Sequence, residues 1–556
     1  MSSIRITGMS GIDTEKMITD IMKAERVKVD NVQQDRQIVQ WRQELYNSIN
    51  KDFANFILNS RKEFGLSVIT STGSIDSKSL SSLSWVKRAI SSNEGAVKAS
   101  TTSQAVNGSY DVTVHRLADG VKGASSVNAD EAIKDILSNL SDAVIEDGEV
   151  ISPSETFDIK INGETITVKK GDTMSSIVKN INSSGAGVQA SYDAAIGRFF
   201  IQTTATGKDA ELKIEAAQGS KGEEFINALS LNVTSYNADG TQKTAAFKFE
   251  DSPYNGVNAL IDFNGATGIE QQSNQFTING INLDLRTTGS TTIRVDTDTD
   301  AVYDKIKGFV DKYNELVDKM GKLLGEKKYR DFKPLTSEQK EAMKEKEVEL
   351  WEEKAKSGLL RNDSIISSIM QNVRGSLYHK VEGLEDNPFN SLYQLGIETE
   401  GYVPGEVGGK LKIDEEKLRK AISEDANGVL EVLFKEADTT TKNGKTVPVK
   451  NSGGVITRVF NNMIDGMEDI IGKAGPGEDS SLYRSINTRL MLDFVTEHSS
   501  ISLLDKDLTS LDRRISDLNA QLLRKEESYY SKFSAMERFV QQMNNQGSWM
   551  MQQLGM

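Results

Sequence analysis

The stretch SISLLDKDLTSLDRRISDLNAQLLRKEESYYSKFSAMERFVQQMNNQGSWMMQQLGM (Ser500–Met556) places Leu504, Leu508, Leu511, Ile515, Leu518 and Leu522 in steps of four and three. One polar position intervenes at Lys525, and the pattern resumes at Tyr529, Phe533, Met536, Val540 and Met543. Neither Gly nor Pro falls between Ile501 and Gln546. Apolar residues repeating every 3.5 positions keep one stripe of a helix turned toward a partner. The stretch therefore predicts a coiled-coil seam rather than ordinary bundle core. At 1.5 Å per residue the helix would reach about 65 Å, and another helix must cover its stripe. The seam begins as Leu and Ile and passes to Phe, Met and Val, then to a Gln/Asn-rich run and Trp549-Met550-Met551. Surfaces rich in Met and aromatics adapt to more than one partner, so the tail is expected to meet something outside the chain.

A second long helical pattern runs from Ile12 to Phe64, opened by a capping Asp13 and the first-turn acid Glu15. Ile18, Met22, Val29, Val32, Val39, Tyr46, Phe53 and Ile57 share one heptad register, broken by the polar residues Glu25, Arg36, Gln43 and Asn50. Pairing the two terminal helices is the most economical way to cover both seams. The polar gaps predict that the N-terminal helix is poorly ordered before assembly.

Between these helices the period changes to two. A Ser/Thr/Gly-rich stretch, Ser67 to Ser82, reads as a hinge. Short alternating runs follow at 85–90, 96–99 and 110–114, separated by Asn-Glu-Gly and Asn-Gly turns. A strand, Asn162-Gly163 turn, strand pattern begins at Phe157, with a short helix near Ser175–Ile181 and strands at Gly187–Tyr192 and Phe199–Thr203. Another β stretch, Gln275–Val295, turns at Asn279-Gly280. Helix returns at Thr299–Leu324, then a charged helical region to Tyr378, a small hairpin and helix over Leu395–Phe434, a polar loop at Thr439–Lys450, and helix at Val455–Ile471. The expected class is α+β: long terminal coiled-coil helices and a helical bundle domain flanking two inserted antiparallel β-rich domains.

Composition excludes several kinds of function. A net charge of −15 over 556 residues argues against a nucleic-acid partner. There is no cysteine, hence no disulfide or thiolate chemistry, and there are only 3 histidines, His115, His379 and His498. No apolar run approaches the length of a membrane span, and no secretory signal pattern is expected at the N-terminus. Asp296, Asp298 and Asp300 have the alternate spacing of a calcium loop, but Ala301 and Lys307 stand where Gly and Glu are required. They read as a strand-to-helix turn. Gly408-Gly409-Lys410 lacks the Ser/Thr and first Gly of a phosphate loop, with Leu411 and Pro404 in their places. Asn182-Ser183-Ser184 is a sequon without consequence outside a glycosylating compartment. No catalytic, cofactor or metal residues emerge, and the protein is not expected to be an enzyme.

GIDTEKMITDIMKAERVKVD (Gly11–Asp30) and QWRQELYNSIN (Gln40–Asn50) resemble the N-terminal signature of the flagellar filament-capping family, the FliD or second hook-associated proteins. GSYDVTVHRLA (Gly108–Ala118) resembles that family's first β domain, and Phe157–Gly207 is similar to a repeat shared by flagellin-like and hook-associated proteins. IRVDTDTDAVYDKIKGFVDKYNELVDKM (293–320), LYQLGIETEG (392–401), GKLKIDEEKLRKAI (409–422) and Lys525–Met556 follow in the family's order. Leu335–Ser364 resembles only some members, and Ala216–Tyr254 matches poorly.

The resemblance implies four parts. Terminal coiled-coil legs comprise 1–45 with 510–556, and a helical domain comprises 46–72 with 299–509. A β domain comprises 73–118 with 265–298, and an outer β domain spans 119–264. It further implies a homo-oligomeric cap, expected as a pentamer, secreted through the flagellar export channel and working outside the cell at the filament tip. The partners implied are flagellin, the hook–filament junction proteins and a cytoplasmic export chaperone on the C-terminal helix; no membrane insertion is expected. The residues expected to form the legs and contact flagellin are Ile18, Met22, Val29, Val32 and Val39, with Leu504 to Met543 of the C-terminal seam. An adhesin binding mucin or host glycans through the β domains is the alternative, and a hook–filament junction protein is a third possibility.

Overall fold

Asp13 begins the first helix, α1 (Thr14–Glu63), by accepting the Lys16 backbone N–H on Oδ1 at 2.9 Å. No Gly or Pro interrupts its 50 residues, and Arg61 and Lys62 in the last turn suit the negative end of the helix dipole. It stops at Gly65, whose φ of 71° lets Leu66 N–H turn back to Arg61 O at 2.8 Å. The computed structural model describes residues 13–69, 75–140, 145–146, 149–150, 156–401, 408–442, 445–449, 452–477 and 502–554. Residues 1–12 of the expected leg, 478–501 of the expected helical domain, Pro404 and His498 lie outside them.

Contacts divide the chain into two units, 1–80 with 299–556, and 81–298. In the first unit, the stretch expected as a hinge instead pairs Ser67–Ile69 antiparallel with Ile75–Ser77.

The 81–298 unit has two hydrophobic cores, each roofed by its own sheets. The first lobe packs a five-stranded antiparallel sheet, in the order 266–271, 259–263, 108–116, 289–297, 87–91, against a three-stranded one, 275–278, 281–285, 97–101. Alternation does this work: Tyr110, Val112 and Val114 face in, while Asp111 and Thr113 do not. The turn at Asn279-Gly280 has positive φ at both residues, 50° and 75°, as a two-residue hairpin of this type requires.

The second lobe pairs a five-stranded sheet, in the order 188–193, 198–203, 122–125, 231–236, 242–246, with a three-stranded one, 164–169, 156–161, 214–215. It adds α2 (Ala129–Ser138), α3 (Met174–Ser183) and α4 (Lys221–Leu229). Because 259–263 pairs with 108–116, the expected boundary at 264/265 is corrected: Ala259 onward belongs to the first lobe.

The remainder of the first unit is helical: α5 (Thr299–Gly325), α6 (Ser337–Glu341), α7 (Glu345–Lys356), α8 (Ser364–Tyr378), α9 (Glu415–Phe434), α10 (Val455–Ala474) and α11 (Leu503–Leu554). The expected stripe of α5 is buried, from Val302 through Tyr313 to Met320. Phe56, Phe64, Phe309 and Phe460 cluster at ring separations of 5.4 to 6.3 Å, and each such ring contributes about 1.5–3 kcal/mol by leaving water. The hairpin 397–399 with 411–413 is tied to α5 by the Asn314 side-chain amide, which exchanges two 2.8 Å bonds with the Leu411 backbone. The polar segment expected as a loop after Phe434 forms a second hairpin, 439–442 with 445–448.

Candidate functional site

The two terminal helices form an antiparallel pair. Thr14 Oγ1 lies 3.3 Å from Glu537 Oε1 at one end, and Gln43 Nε2 donates to Asp505 Oδ1 at 2.8 Å at the other. On α1, Ile18, Val29 and Val32 are buried and Met22 and Val39 half-buried. On α11, Leu504 is buried, while Leu508, Leu511, Ile515, Leu518, Leu522, Tyr529, Phe533 and Val540 are half-buried. Those are the heptad positions, and the residues between them are mostly exposed. Met536 and Met543 depart from the pattern, being 38% and 57% exposed. A seam that stays half-buried is what one partner helix provides, because two helices cover only part of each other's circumference.

The polar interruptions are where the sequence reading falls short. Glu25 and Lys525, taken as gaps on separate helices, pair with each other at 2.7 Å. Arg36 meets Asp512 at 2.5 Å, and Gln43 bonds Asp505 and the Ala474 carbonyl at the end of α10. Asn50, wholly buried, reaches Met467 O on α10 at 3.4 Å. Each gap has a polar partner, so these residues set the register of the helix. One signal could have found them: from Glu25 to Gln43 the position rises by 18, and from Lys525 to Asp505 it falls by 20. That matched descent is an antiparallel register written in polar residues.

Electrostatics follow these contacts. The hydrogen bond from Lys525 holds the Glu25 carboxyl below its ordinary range. Burial raises the Asp505 carboxyl, but bonds from Ser502 and Gln43 outweigh it and the net shift is downward. Asp505 also closes the N-terminus of α11, since its Oδ2 accepts from Ser502 N at 3.0 Å and Ser502 Oγ at 2.7 Å.

Tyr46, Phe53 and Ile57 continue the α1 register but are buried beyond the reach of α11, whose first residue lies past Gln43. They pack in the helical domain, where Tyr46 donates to Asp363 Oδ2 at 2.6 Å. Around 34–45 the opposite face of α1 is also covered. Gln34 donates to Pro334 O at 2.7 Å, Trp41 packs on Ala355 and Leu359, and the Lys356 ammonium lies 5.0 Å from the Trp41 ring centre. The root of the pair is thus buttressed on two sides. Toward its other end, α11 continues past Glu537 for residues 538–554, about 25 Å of helix. Phe539, Met543, Trp549, Met550 and Met551 are each more than half exposed there.

The residues weighed for other chemistry are engaged elsewhere. Asp296 pairs with Arg294 at 2.8 Å and Asp300 with Arg419 at 2.6 Å, so each of these two carboxylates is engaged by a guanidinium. His115 pairs with Asp262 at 2.7 Å across two strands, and the His379 carbonyl accepts from Arg458. Among the described residues no group of three or more His, Asp or Glu is placed to hold a metal, and no helix is long and apolar enough to cross a membrane. The helical core contains an apolar cavity barely large enough for one water, lined by Ile306, Phe309, Tyr313, Leu433 and Val455.

Comparison with known proteins gives matches along the chain. Residues 256–545 match the family described as flagellar hook-associated protein 2 C-terminus, and residues 10–120 match its N-terminal counterpart. Residues 156–205 match the flagellin hook IN motif. The flagellar hook-associated protein 2 of Halalkalibacterium halodurans is 28% identical, covering 98% of each chain. The A-type flagellar hook-associated protein 2 of Pseudomonas aeruginosa is 26% identical over 78% of this chain and 80% of its own. The crystal structure of the D1-D2-D3 domains of the flagellar cap protein FliD from Escherichia coli aligns with 76% of this chain and 95% of that one, at 21% identity and a TM-score of 0.45.

Proposed function

Because the chain belongs to the flagellar hook-associated protein 2 family, a family of flagellar structural proteins and not of enzymes, we propose that it caps the growing filament. In this reading several copies, five in the expected assembly, join through their β units into a plate at the filament tip. The α1/α11 pair serves as the leg that reaches the last flagellin subunits. Exported flagellin is held beneath the plate, where confinement raises its local concentration and favours folding at the vacant site. Legs that grip and release suit a seam interrupted by Glu25–Lys525 and Arg36–Asp512, since partly exposed polar pairs open more readily than a dry apolar seam. Export as an unfolded chain fits the absence of cysteine.

The observation that carries this reading is the distal end of α11, a continuous helix with Phe539, Met543 and Met550 exposed at helical spacing. Exposed apolar residues at that spacing match a helical partner, flagellin in the proposed setting and an export chaperone before secretion. Family membership does not favour the adhesin alternative.

The test replaces Phe539 and Met543 with Ser in the full chain. Both side chains are exposed, so melting temperature should be unchanged, while cells carrying the variant should make hooks without full filaments and shed monomeric flagellin into the medium. Normal filaments from this variant would remove the leg from the mechanism. Normal filaments in a strain lacking the gene altogether would overturn capping itself.

A further inference from the structure

Within 81–298 the chain passes from the first lobe to the second at 117–121 and returns at 255–258. Two short crossings between separate cores ordinarily permit relative motion. Here they pair with each other. Asp119 N donates to Val257 O at 3.0 Å, and Val257 N donates to Asp119 O at 2.9 Å. The Asp119 carboxylate takes Gly120 N on Oδ1 at 2.9 Å, and the Tyr236 hydroxyl and Lys122 ammonium on Oδ2, both at 2.8 Å.

Asn258, 5% exposed, bridges both lobes: Oδ1 accepts Lys208 N at 2.9 Å and Nδ2 donates to Glu270 Oε2 at 2.9 Å. Thr206 Oγ1 adds a 2.8 Å bond to Gln272 O.

Glycines remove the remaining slack. A Cβ on Gly256 would lie 2.4 Å from Asp119 O and 2.5 Å from Gly207 O, and one on Gly120 would lie 2.7 Å from Ala205 O. Gly207, at φ +96°, would place its Cβ 2.8 Å from Gln272 O. Backbones at such separations leave no space for one lobe to roll on the other.

We propose that this joint locks the two β lobes into a single rigid body, so that 81–298 turns as one piece with its second lobe held at a fixed angle. The joint combines paired crossings, a carboxylate with three donors, a buried bridging amide and three close-packed glycines. No single one of these would suffice, because a two-residue bridge alone still twists.

The absence of cysteine makes the test direct. Glu94→Cys and Lys179→Cys, both exposed and one in each lobe, are spin-labelled in the full chain. The labelled chain is diluted with unlabelled chain so that distances between copies do not contribute. Pulsed electron resonance should give one narrow distance distribution. Gly256→Ala and Asp119→Ala should each widen it at least twofold. Asp119→Ala leaves the backbone bridge in place, and circular dichroism checks that both variants fold. A broad or two-peaked distribution without joint substitutions overturns the rigid body. Widths unchanged in both folded variants overturn the joint as its cause.

Discussion

Arg458 shows how much one residue can hold. It lies on α10 at 1% exposure, with Nη2 donating to His379 O at 2.7 Å and Nη1 to Lys380 O at 3.1 Å. Those carbonyls close the C-terminal end of α8, where a cation is favoured and acceptors need partners. Burial lowers the Arg458 pKa, with Glu382 acting in the opposite sense. Arg458→Ala removes two charge-assisted bonds and leaves the space of a large buried side chain, so urea denaturation should show a loss of about 3 kcal/mol. Tyr313 is the converse case. It is 1% exposed, its hydroxyl has no hydrogen-bond partner among the described residues, and burial pushes its pKa up. Tyr313→Phe discards an unsatisfied group from an apolar site. It should raise stability by about 1 kcal/mol, read as a higher melting temperature. A fall instead would mean that the hydroxyl is satisfied by bound water.

At the level of elements, the α1/α11 pair owes its cohesion to the apolar seam and its register to the polar residues crossing it. Glu25→Lys should lower the melting temperature of the pair by setting two ammonium groups together, and adding Lys525→Glu should restore it. High salt should shrink both effects, because the pair is partly exposed. Failure of the double exchange to recover stability would mean that this ion pair does not set the register. Acid should act similarly. Glu25 and Asp505 both have folded pKa values below their ordinary ones, so their contributions are complete above about pH 4.5. They are lost as pH falls through the lowered values. Hydrogen exchange over 14–43 should therefore accelerate beyond the intrinsic trend as pH falls below the ordinary carboxylate range, and Asp505→Asn should blunt the change.

Over the whole molecule, the same sign governs the joint between the β lobes. Burial raises the Asp119 carboxyl, but bonds from Lys122 and Tyr236 outweigh it and hold it low, while Tyr236 is pushed up to about 12 by burial and by Asp119. The lobe-to-lobe distance should stay narrow at neutral pH and widen only below the ordinary aspartate range, as Asp119 takes a proton. Legibility varied in the same physical way. Long periodic elements were readable: the α11 seam, the α5 stripe and the Asn-Gly turns follow from local pattern, because period and turn chemistry are properties of neighbouring residues. The strand 122–125, Lys-Gly-Ala-Ser, has no apolar alternation at all. It sits at the centre of a sheet because Gly123 makes room for Ile201 and Val233 from the strands on either side. Those partners are remote in sequence, so nothing local announces the strand. The residues of the α1/α11 pair divide likewise, since the apolar positions were visible while Glu25 and Lys525 looked like defects until they met. By itself, then, the sequence determined the two terminal seams, the α+β class and the family, all of which rest on local periodicity and ordered motifs. Only the tertiary structure decided which polar residues face one another, where the first β lobe ends and that the two lobes interlock, because each depends on groups far apart in sequence, such as Asp119 and Val257 or Glu25 and Lys525, brought within about 3 Å.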